Sequence, residues 1–281
     1  MIPVDAAISR VRRDITLGML LKAALAGAVV VCLIVFAHEQ SARFAALAGI
    51  VGVWIGISVT SARSSRLALD SPALIATGQF DEAERQIDLA MRAFSIFGPA
   101  KLRALHQLAM LRHAQHRWDE AARLCRALLG QRLSATRSLN KPSRLILAES
   151  LLELNDLPGS YGAIRDLYAQ QLSLEEALNV MSLQLDYESK LGAWGRMFSG
   201  ATTKVQLAEL MPSRPAARVQ ALLALAAQRC GRGDWADWLR RRAELLANVN
   251  DLTRDRPILW GLWSKPDVNS GATAAESTTV G

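Results

Sequence analysis

RWDEAARL, residues Arg117 to Leu124, is the stretch from which this chain is best interpreted. It places the adjacent carboxylates of Asp119 and Glu120 directly behind Trp118. Two neighbouring acids suit acid–base chemistry, but they also suit the first turn of a helix, where the dipole and free N–H groups favour negative charge. The earlier stretch QFDEAERQ, Gln79–Gln86, repeats Asp-Glu-Ala behind a different aromatic residue. This recurrence favours the structural role, because an active site needs such a pair only once.

The same local context recurs through residues 62–250. Five positions lie between apolar runs of helical periodicity, at intervals of 38, 39, 37 and 41 residues. They are Phe80, Trp118, Leu157, Trp194 and Trp235. A near-constant period predicts a stack of helix-turn-helix units, each of which exposes apolar surface until its neighbour covers it. The large residue at each turn is expected to fill the gap between successive hairpins.

This pattern resembles the tetratricopeptide repeat (TPR) family. The matching residues are Leu105, Leu108, Ala109 and Trp118 to Ala121 in the second repeat, Leu222, Leu225, Ala226 and Gly233 to Trp235 in the fifth, and Gly78, Phe80 to Ala83 and Ala90 in the first. The third and fourth repeats match loosely, and the period is longer than the about 34 residues of the family. The resemblance implies an α-solenoid, a right-handed superhelix of about five repeats with a concave face.

The resemblance also implies that the first helix of each repeat lines a concave groove. In the second repeat this predicts Arg103, His106, Met110 and His113 as partner contacts. In the third repeat it predicts Glu149 and Glu153. A solvated helix face is the alternative for each of these residues.

We expect no enzyme activity, no metal and no cofactor. His106 and His113 lie two helical turns apart, and no acid or cysteine joins them at ligand spacing. No G-x-S-x-G motif or phosphate loop occurs. Cys32, Cys125 and Cys230 are far apart, which favours buried thiols in a reducing compartment over a disulfide framework.

Two apolar runs near the N-terminus predict a transmembrane hairpin over residues 17–61. Leu17 to Ala37 carries one charge, Lys22, and Phe44 to Thr60 carries none. The first is long enough for the ~30 Å hydrocarbon core, and the second is at the short end. A signal peptide and a buried hairpin of a soluble protein are the alternatives. Small residues four apart, such as Ala23 and Gly27 in the first run and Gly52 and Gly56 in the second, are expected to let the two spans pack closely.

The flanking arginines predict the orientation. Arg10, Arg12 and Arg13 precede the first run, and Arg63 and Arg66 follow the second. The connecting loop has only Arg43. By the positive-inside rule, both termini and the segment 1–16 face the cytoplasm of a bacterial-type inner membrane. The net charge of +7 is spread along the chain, which suits an anionic membrane surface, and no nucleic-acid recognition motif accompanies it.

Past residue 250 the sequence changes character. Residues 251–266 contain Trp260 and Trp263 and are expected to cap the last helix pair, with a membrane-surface contact as the alternative. Residues 267–281 are small and polar and are expected to be disordered.

Together these features predict a membrane-anchored, TPR-like scaffold or adaptor. It would bind a partner protein or peptide at the cytoplasmic face, with residues 17–61 in the lipid bilayer. The alternatives are an accessory subunit of a membrane complex and an envelope-assembly factor whose repeats lie outside the cytoplasm.

Overall fold

A computed structural model describes residues 2–35, 40–66, 70–93, 95, 98–131 and 137–263. All regular structure within these ranges is helical, which confirms the all-α prediction for this part of the chain. The chain forms two compact units, Met1–Gln170 and Gln171–Gly281. The predicted disordered tail and residues 264–266 of the predicted cap lie outside the described residues. So do residues 36–39, which are the end of the first predicted span and the start of the predicted loop.

The first unit contains eight helices among its described residues. They are α1 (Val4–Val35), α2 (Gln40–Arg66), α3 (Ser71–Ala76), α4 (Phe80–Arg92), α5 (Gly98–Ala114), α6 (Trp118–Leu129), α7 (Arg137–Glu153) and α8 (Leu157–Tyr168). From α3 onward, successive helices form the antiparallel pairs α3/α4, α5/α6 and α7/α8. The first helices of neighbouring pairs also pack together, α3 on α5 and α5 on α7.

The second unit is built around α12. Its helices are α9 (Leu174–Lys190), α10 (Trp194–Phe198), α11 (Ala201–Ala208), α12 (Ser213–Arg229), α13 (Gly233–Leu246), α14 (Val249–Asp255) and α15 (Trp260–Trp263), with a 3-10 turn at Pro257–Leu259. Residues 219–227 of α12 are all buried, because α9, α10, α11, α13 and α15 pack around this helix.

One turn recurs in five helix pairs. Each pair is joined through a residue in the left-handed region, and the next helix begins two residues later. These residues are Gly78 (φ 77°), His116 (58°), Asn155 (60°), Gly192 (65°) and Gly231 (70°). The N–H of the following residue donates to a carbonyl five residues back, as from Arg117 to Arg112 at 2.9 Å. This is the Schellman closure, which satisfies carbonyls that a helix end leaves without partners.

The turns place the fifth repeat two residues earlier than the sequence predicted. The second helices of the five pairs begin at Phe80, Trp118, Leu157, Trp194 and Gly233. Trp235 is therefore the third residue of α13 and not its first. The reason is that Gly231 takes the left-handed conformation and fixes the start of the helix. The resulting spacing is 38, 39, 37 and 39 residues, the last being 233 minus 194.

Helix length accounts for the long period. The helices α5, α7, α9 and α12 each contain 17 residues. The fourth pair differs from the others, because its second helix is interrupted at Gly200 (φ 66°) and divides into α10 and α11. The two acidic pairs lie in the first turns of α4 and α6. This position favours negative charge at a helix N-terminus.

Helix α1 has two halves of different character. Its first half packs against α4, α5 and α6, with Val4, Ala7, Val11 and Ile15 buried in the core. Residues 2–16 therefore pack within the first unit. Its second half exposes large apolar side chains from Leu17 onward, among them Leu20, Val31 and Ile34.

Among the described residues, α1 alone is long and apolar enough to cross a membrane by length and composition. The apolar part of α2, Phe44–Val59, is shorter. The small residues predicted to form the contact between the two helices are open: a methyl group at Gly27, Gly52 or Gly56 would meet no atom within 4 Å.

The turn conformation gives a matched pair of substitutions. Gly231→Ala is expected to lower the free energy of unfolding by about 1 to 2 kcal/mol, because an L side chain is strained in the left-handed region. Gly233→Ala, at the first position of α13, is expected to have no effect or to stabilise slightly. Neither added methyl group meets a neighbouring atom within 4 Å, so steric contact does not distinguish the two sites. Denaturant unfolding measures both, and equal effects would contradict the assigned turn.

Candidate functional site

Buried charged residues lie at the junction between α1 and the helical pairs of the first unit. Apolar residues spaced three and four apart along α1 place Val4, Ala7, Val11 and Ile15 on one face, which is buried. The charged residues Asp5, Arg10 and Asp14 flank this face and reach α6, α4 and α5 respectively. The helix is therefore held by an apolar stripe and by ion pairs on both sides of it.

Lys101 forms the first buried ion pair of the junction. Its side chain is 1% exposed, and its Nζ lies 2.9 Å from Asp14 Oδ2 on α1. The same ammonium group donates to the carbonyls of Met91 (2.7 Å) and Ala93 (2.5 Å) at the C-terminal end of α4. A cation stabilises this end of the helix dipole and satisfies carbonyls without helical partners. Lys101 thus ties the end of α4 to α1.

Arg112 is at the centre of a second set of buried ion pairs, and its side chain has no exposed surface. Its Nη2 donates to Glu84 Oε1 (2.8 Å) and to the carbonyl of Ile2 (3.1 Å). Its Nη1 donates to Gln115 (2.8 Å), and its Nε lies 3.1 Å from Glu120 Oε2. One guanidinium therefore joins α4, α5, α6 and the beginning of the chain. Glu120 belongs to the acidic pair of the opening motif, so one of those two acids is a structural ion-pair partner.

Glu84 completes this network. It accepts the N–H of Ile2 at 2.6 Å as well as the bond from Arg112. Burial alone would raise the pKa of this carboxyl, but the hydrogen bonds from Arg112 and Ile2 and the positive charge outweigh it and lower the pKa. Glu84 stays ionised in the folded state, and it holds the start of α1 against α4.

The six predicted groove residues do not form one open surface. Only Arg103 is exposed. His106 is buried between α5 and α7, where its Nδ1 lies 2.9 Å from Ser143 Oγ, and burial lowers its pKa to about 4. His113 Nε2 lies 3.2 Å from Glu149 of α7. The remaining two, Met110 and Glu153, are half-buried.

The two histidines were expected on a groove surface, but α7 packs on the face of α5 that carries them. Their contacts are within the protein, between neighbouring first helices.

The residues predicted at the turns are half-buried, and they differ in what they contact. Phe80 packs against the core of the first unit, and Trp118 lies edge-on between His113 and His116 with ring centroids 4.8 and 5.0 Å away. Leu157 opens α8. Trp194 and Trp235 pack against the core of the second unit.

The second unit has its own buried carboxylate, which sequence patterns did not identify. Asp186 of α9 is buried and pairs with Arg218 of α12 and with Arg256, whose Nε lies 3.1 Å from Asp186 Oδ1. Arg256 follows α14, so this contact fastens the segment after α13. Leu259 and Leu262 of that segment are buried in the core around α12.

An aromatic surface lies on α13. The rings of Phe198, Trp235 and Trp238 meet edge to face, with centroids 5.7 and 5.5 Å apart. Trp238 is 44% exposed, and the guanidinium of Arg242 lies 4.9 Å from its ring centroid. Asp234, Trp235 and Trp238 border an open cavity of about 280 Å³. Two turns further along the same helix, Leu245 is 86% exposed.

The cysteines differ from one another in their surroundings. Cys32 and Cys125 are buried as expected, but Cys230 is exposed, because it lies at the end of α12. Burial raises the pKa of the Cys125 thiol to about 12, which leaves it protonated and unreactive.

Removing the junction cation tests its role. Lys101→Met is expected to lower the free energy of unfolding of the full chain by about 3 to 5 kcal/mol, because Asp14 is left buried without its partner. Adding Asp14→Leu is expected to recover part of that loss. Arg85→Gln, in an exposed pair with Glu82, is the control and is expected to cost less than about 1 kcal/mol. Unfolding in detergent micelles measures all four proteins, and a Lys101→Met effect as small as the control would contradict the assigned role.

The buried charged groups described above take part in ion pairs and hydrogen bonds within the protein. Across the described ranges, no three His, Cys, Asp or Glu side chains are grouped as a metal site would need. Compared with protein-family models, curated proteins and solved structures, the chain matches none of them.

Proposed function

We propose that this protein is a membrane-anchored, TPR-like scaffold that binds a partner protein at the cytoplasmic face of the membrane. The observation that carries the proposal is the two-part character of α1. One unbroken helix has its first half buried in the first unit and its second half apolar and exposed. Leu17 to Val35 is about 28 Å long, close to the ~30 Å hydrocarbon core.

The junction supports a two-span anchor. The start of α1 contacts α4, α5 and α6, so it lies on the same side of the membrane as those helices. If the second half of α1 crosses the bilayer, the chain has to cross back before α4 begins at Phe80. The apolar stretch Phe44–Val59 of α2 is the segment available for that return. Its shortness is tolerated if the flanking residues extend to the headgroups or the bilayer thins locally.

The arginines on either side of the apolar segments support a cytoplasmic location. Arg10, Arg12 and Arg13 precede the apolar half of α1, and Arg63 and Arg66 follow that of α2. The excess of arginine on the side of the helical units is the arrangement that the positive-inside rule assigns to the cytoplasm. In this orientation both units lie at the inner surface of the membrane.

The five repeated turns support a TPR-like repeat array. Within the first unit, three helical pairs follow one another with the same closure, and their first helices pack side by side. Within the second unit, α9 and α12 are the corresponding neighbouring first helices. Proteins built from such units commonly provide binding surfaces and not catalytic sites.

The aromatic surface of α13 is the strongest candidate for the partner contact. Tryptophan and arginine are enriched at the centres of protein interfaces, where large rings bury much surface at little entropic cost. Trp238 and Arg242 supply this pair, and Leu245 extends the surface along the helix. The six predicted groove residues are a weaker candidate, since three of them, His106, His113 and Glu149, are engaged between α5 and α7.

An accessory subunit of a membrane complex is the second candidate. The observation that favours it is the open space beside Gly27, Gly52 and Gly56. Close approach of small residues is a common mode of helix association in lipid, and another membrane protein would find such positions uncovered here.

Replacing the membrane segments separates the two candidates. The full chain and a chimera with an unrelated two-span anchor in place of residues 17–61 are used to capture partners from solubilised membranes. A scaffold keeps its partner in the chimera and loses most of it in Trp238→Ser, because the interface anchor is removed. Trp260→Ser, at another exposed tryptophan of the same unit, is the matched control and is expected to keep the partner. Loss of the partner in the chimera alone would favour the accessory subunit.

A further inference from the structure

Helices α1 and α4 run in the same direction along their contact. Ile2, just before α1, contacts Glu84 of α4, and Arg10 of α1 contacts Asp88. Asp14 contacts Lys101, which donates to the carbonyls of Met91 and Ala93 at the end of α4. The C-terminal end of α4 therefore lies level with Asp14, just before the apolar half of α1 begins at Leu17.

Three arginines surround this end of the junction. Arg10 and Arg13 lie three residues apart on α1, and Arg92 is the last residue of α4. The side chains of Arg13 and Arg92 are exposed, at 69% and 68%. Asp88 lies between two of them, 3.9 Å from Arg10 and 2.7 Å from Arg92. Asp14 lies 3.8 Å from Arg13 and also pairs with Lys101. The three arginines and Lys101 therefore outnumber the two carboxylates, Asp14 and Asp88, and this group of side chains is positively charged.

The distance from the apolar half of α1 places these charges at a lipid surface. At ~1.5 Å per residue, Arg13 lies about 6 Å and Arg10 about 10 Å before Leu17 along the helix. The headgroup layer extends about 5 to 7 Å beyond each side of the hydrocarbon core. Arginine fits phosphate oxygens with two parallel hydrogen bonds. The exposed guanidinium of Arg92 carries five N–H donors, more than its contact with the half-buried Asp88 uses.

We propose that Arg10, Arg13 and Arg92 form a binding site for the headgroup of an anionic phospholipid, at the point where α1 leaves the first unit. The site combines two arginines of the anchor helix with one of the helical pairs. A lipid bound there bridges α1 and α4, on the opposite side of Asp88 from the buried Glu84 network. The proposal rests on the membrane-spanning role of α1 proposed above.

The test uses the full chain reconstituted in nanodiscs of phosphatidylcholine, with and without phosphatidylglycerol. Phosphatidylglycerol is expected to raise the unfolding temperature of the protein, and high salt to reduce the increase. For Arg92→Gln, we expect that about five times more phosphatidylglycerol is needed to reach half of the maximal increase in unfolding temperature. This is the effect expected when one arginine is lost at an anionic surface.

Arg85→Gln is the matched control. It removes the same charge from the same helix seven residues earlier, at a side chain that is 77% exposed and lies level with the start of α1. The control is expected to respond to phosphatidylglycerol like the unchanged protein. Inorganic phosphate, added to nanodiscs of phosphatidylcholine alone, is expected to give no increase, which distinguishes a lipid headgroup from a free anion.

Three outcomes would overturn the headgroup site. The first is an equal unfolding temperature with and without phosphatidylglycerol, and the second is an equal response of Arg92→Gln and Arg85→Gln. The third is an equal increase with inorganic phosphate. A chain that fails to associate with vesicles of phosphatidylcholine would overturn the membrane anchor itself, and the site with it. A chain that associates with those vesicles but shows no preference for phosphatidylglycerol would overturn the site alone.

Discussion

The continuity of α1 is the constraint on which the account of this protein depends. A helix cannot bend sharply without a proline, a glycine pair or an inserted group, and residues 4–35 form a single helix. Its two halves prefer different solvents, since one face of the first half is buried among protein side chains and the second half exposes leucine, isoleucine and valine. The direction in which the second half leaves the first unit is therefore fixed by how the first half is packed.

That packing depends on charges buried beside the apolar stripe. Lys101 and Arg112 are among the largest fully buried side chains in the described part of the chain. Each makes several bonds from a single charged group, which compensates for the loss of hydration that a buried cation suffers. Both reach across sequence: Lys101 ties α1 to the end of α4, and Arg112 contacts the carbonyl of Ile2, 110 residues away. We expect these contacts to favour one docked position of α1 over positions shifted along its axis.

The sequence predicted the parts of the fold that depend on local order. Phe80 and Trp118 start helices as their spacing indicated, and Gly78, Gly192 and Gly231 mark turns that need a left-handed residue. His116 and Asn155 fill the same position without being glycine, so local composition alone identifies those two turns less clearly.

The docking of α1 on the helical pairs was not predicted, because Arg10, Arg12 and Arg13 were interpreted as the basic flank of a membrane span. The helical spacing of the apolar residues Val4, Ala7, Val11 and Ile15 is the sequence pattern that could have indicated this docking. The partners of Lys101 and Asp186 are far away in sequence, and no local pattern indicates them. His106 was predicted to line a groove. Which face of α5 is covered by α7 depends on how neighbouring repeats pack, and no local sequence pattern indicates that.

The side of the membrane on which the two ends of the chain lie is the most direct test. Reporters active only in the cytoplasm are fused in turn before Met1 and after Gly281 of the full chain. Both fusions are expected to be active, because the start of α1 is packed with α4, α5 and α6 and, in the proposed topology, the chain crosses the bilayer twice before these helices. Activity from one fusion alone would place the two ends on opposite sides. It would contradict the docking of the start of α1 on α4, α5 and α6.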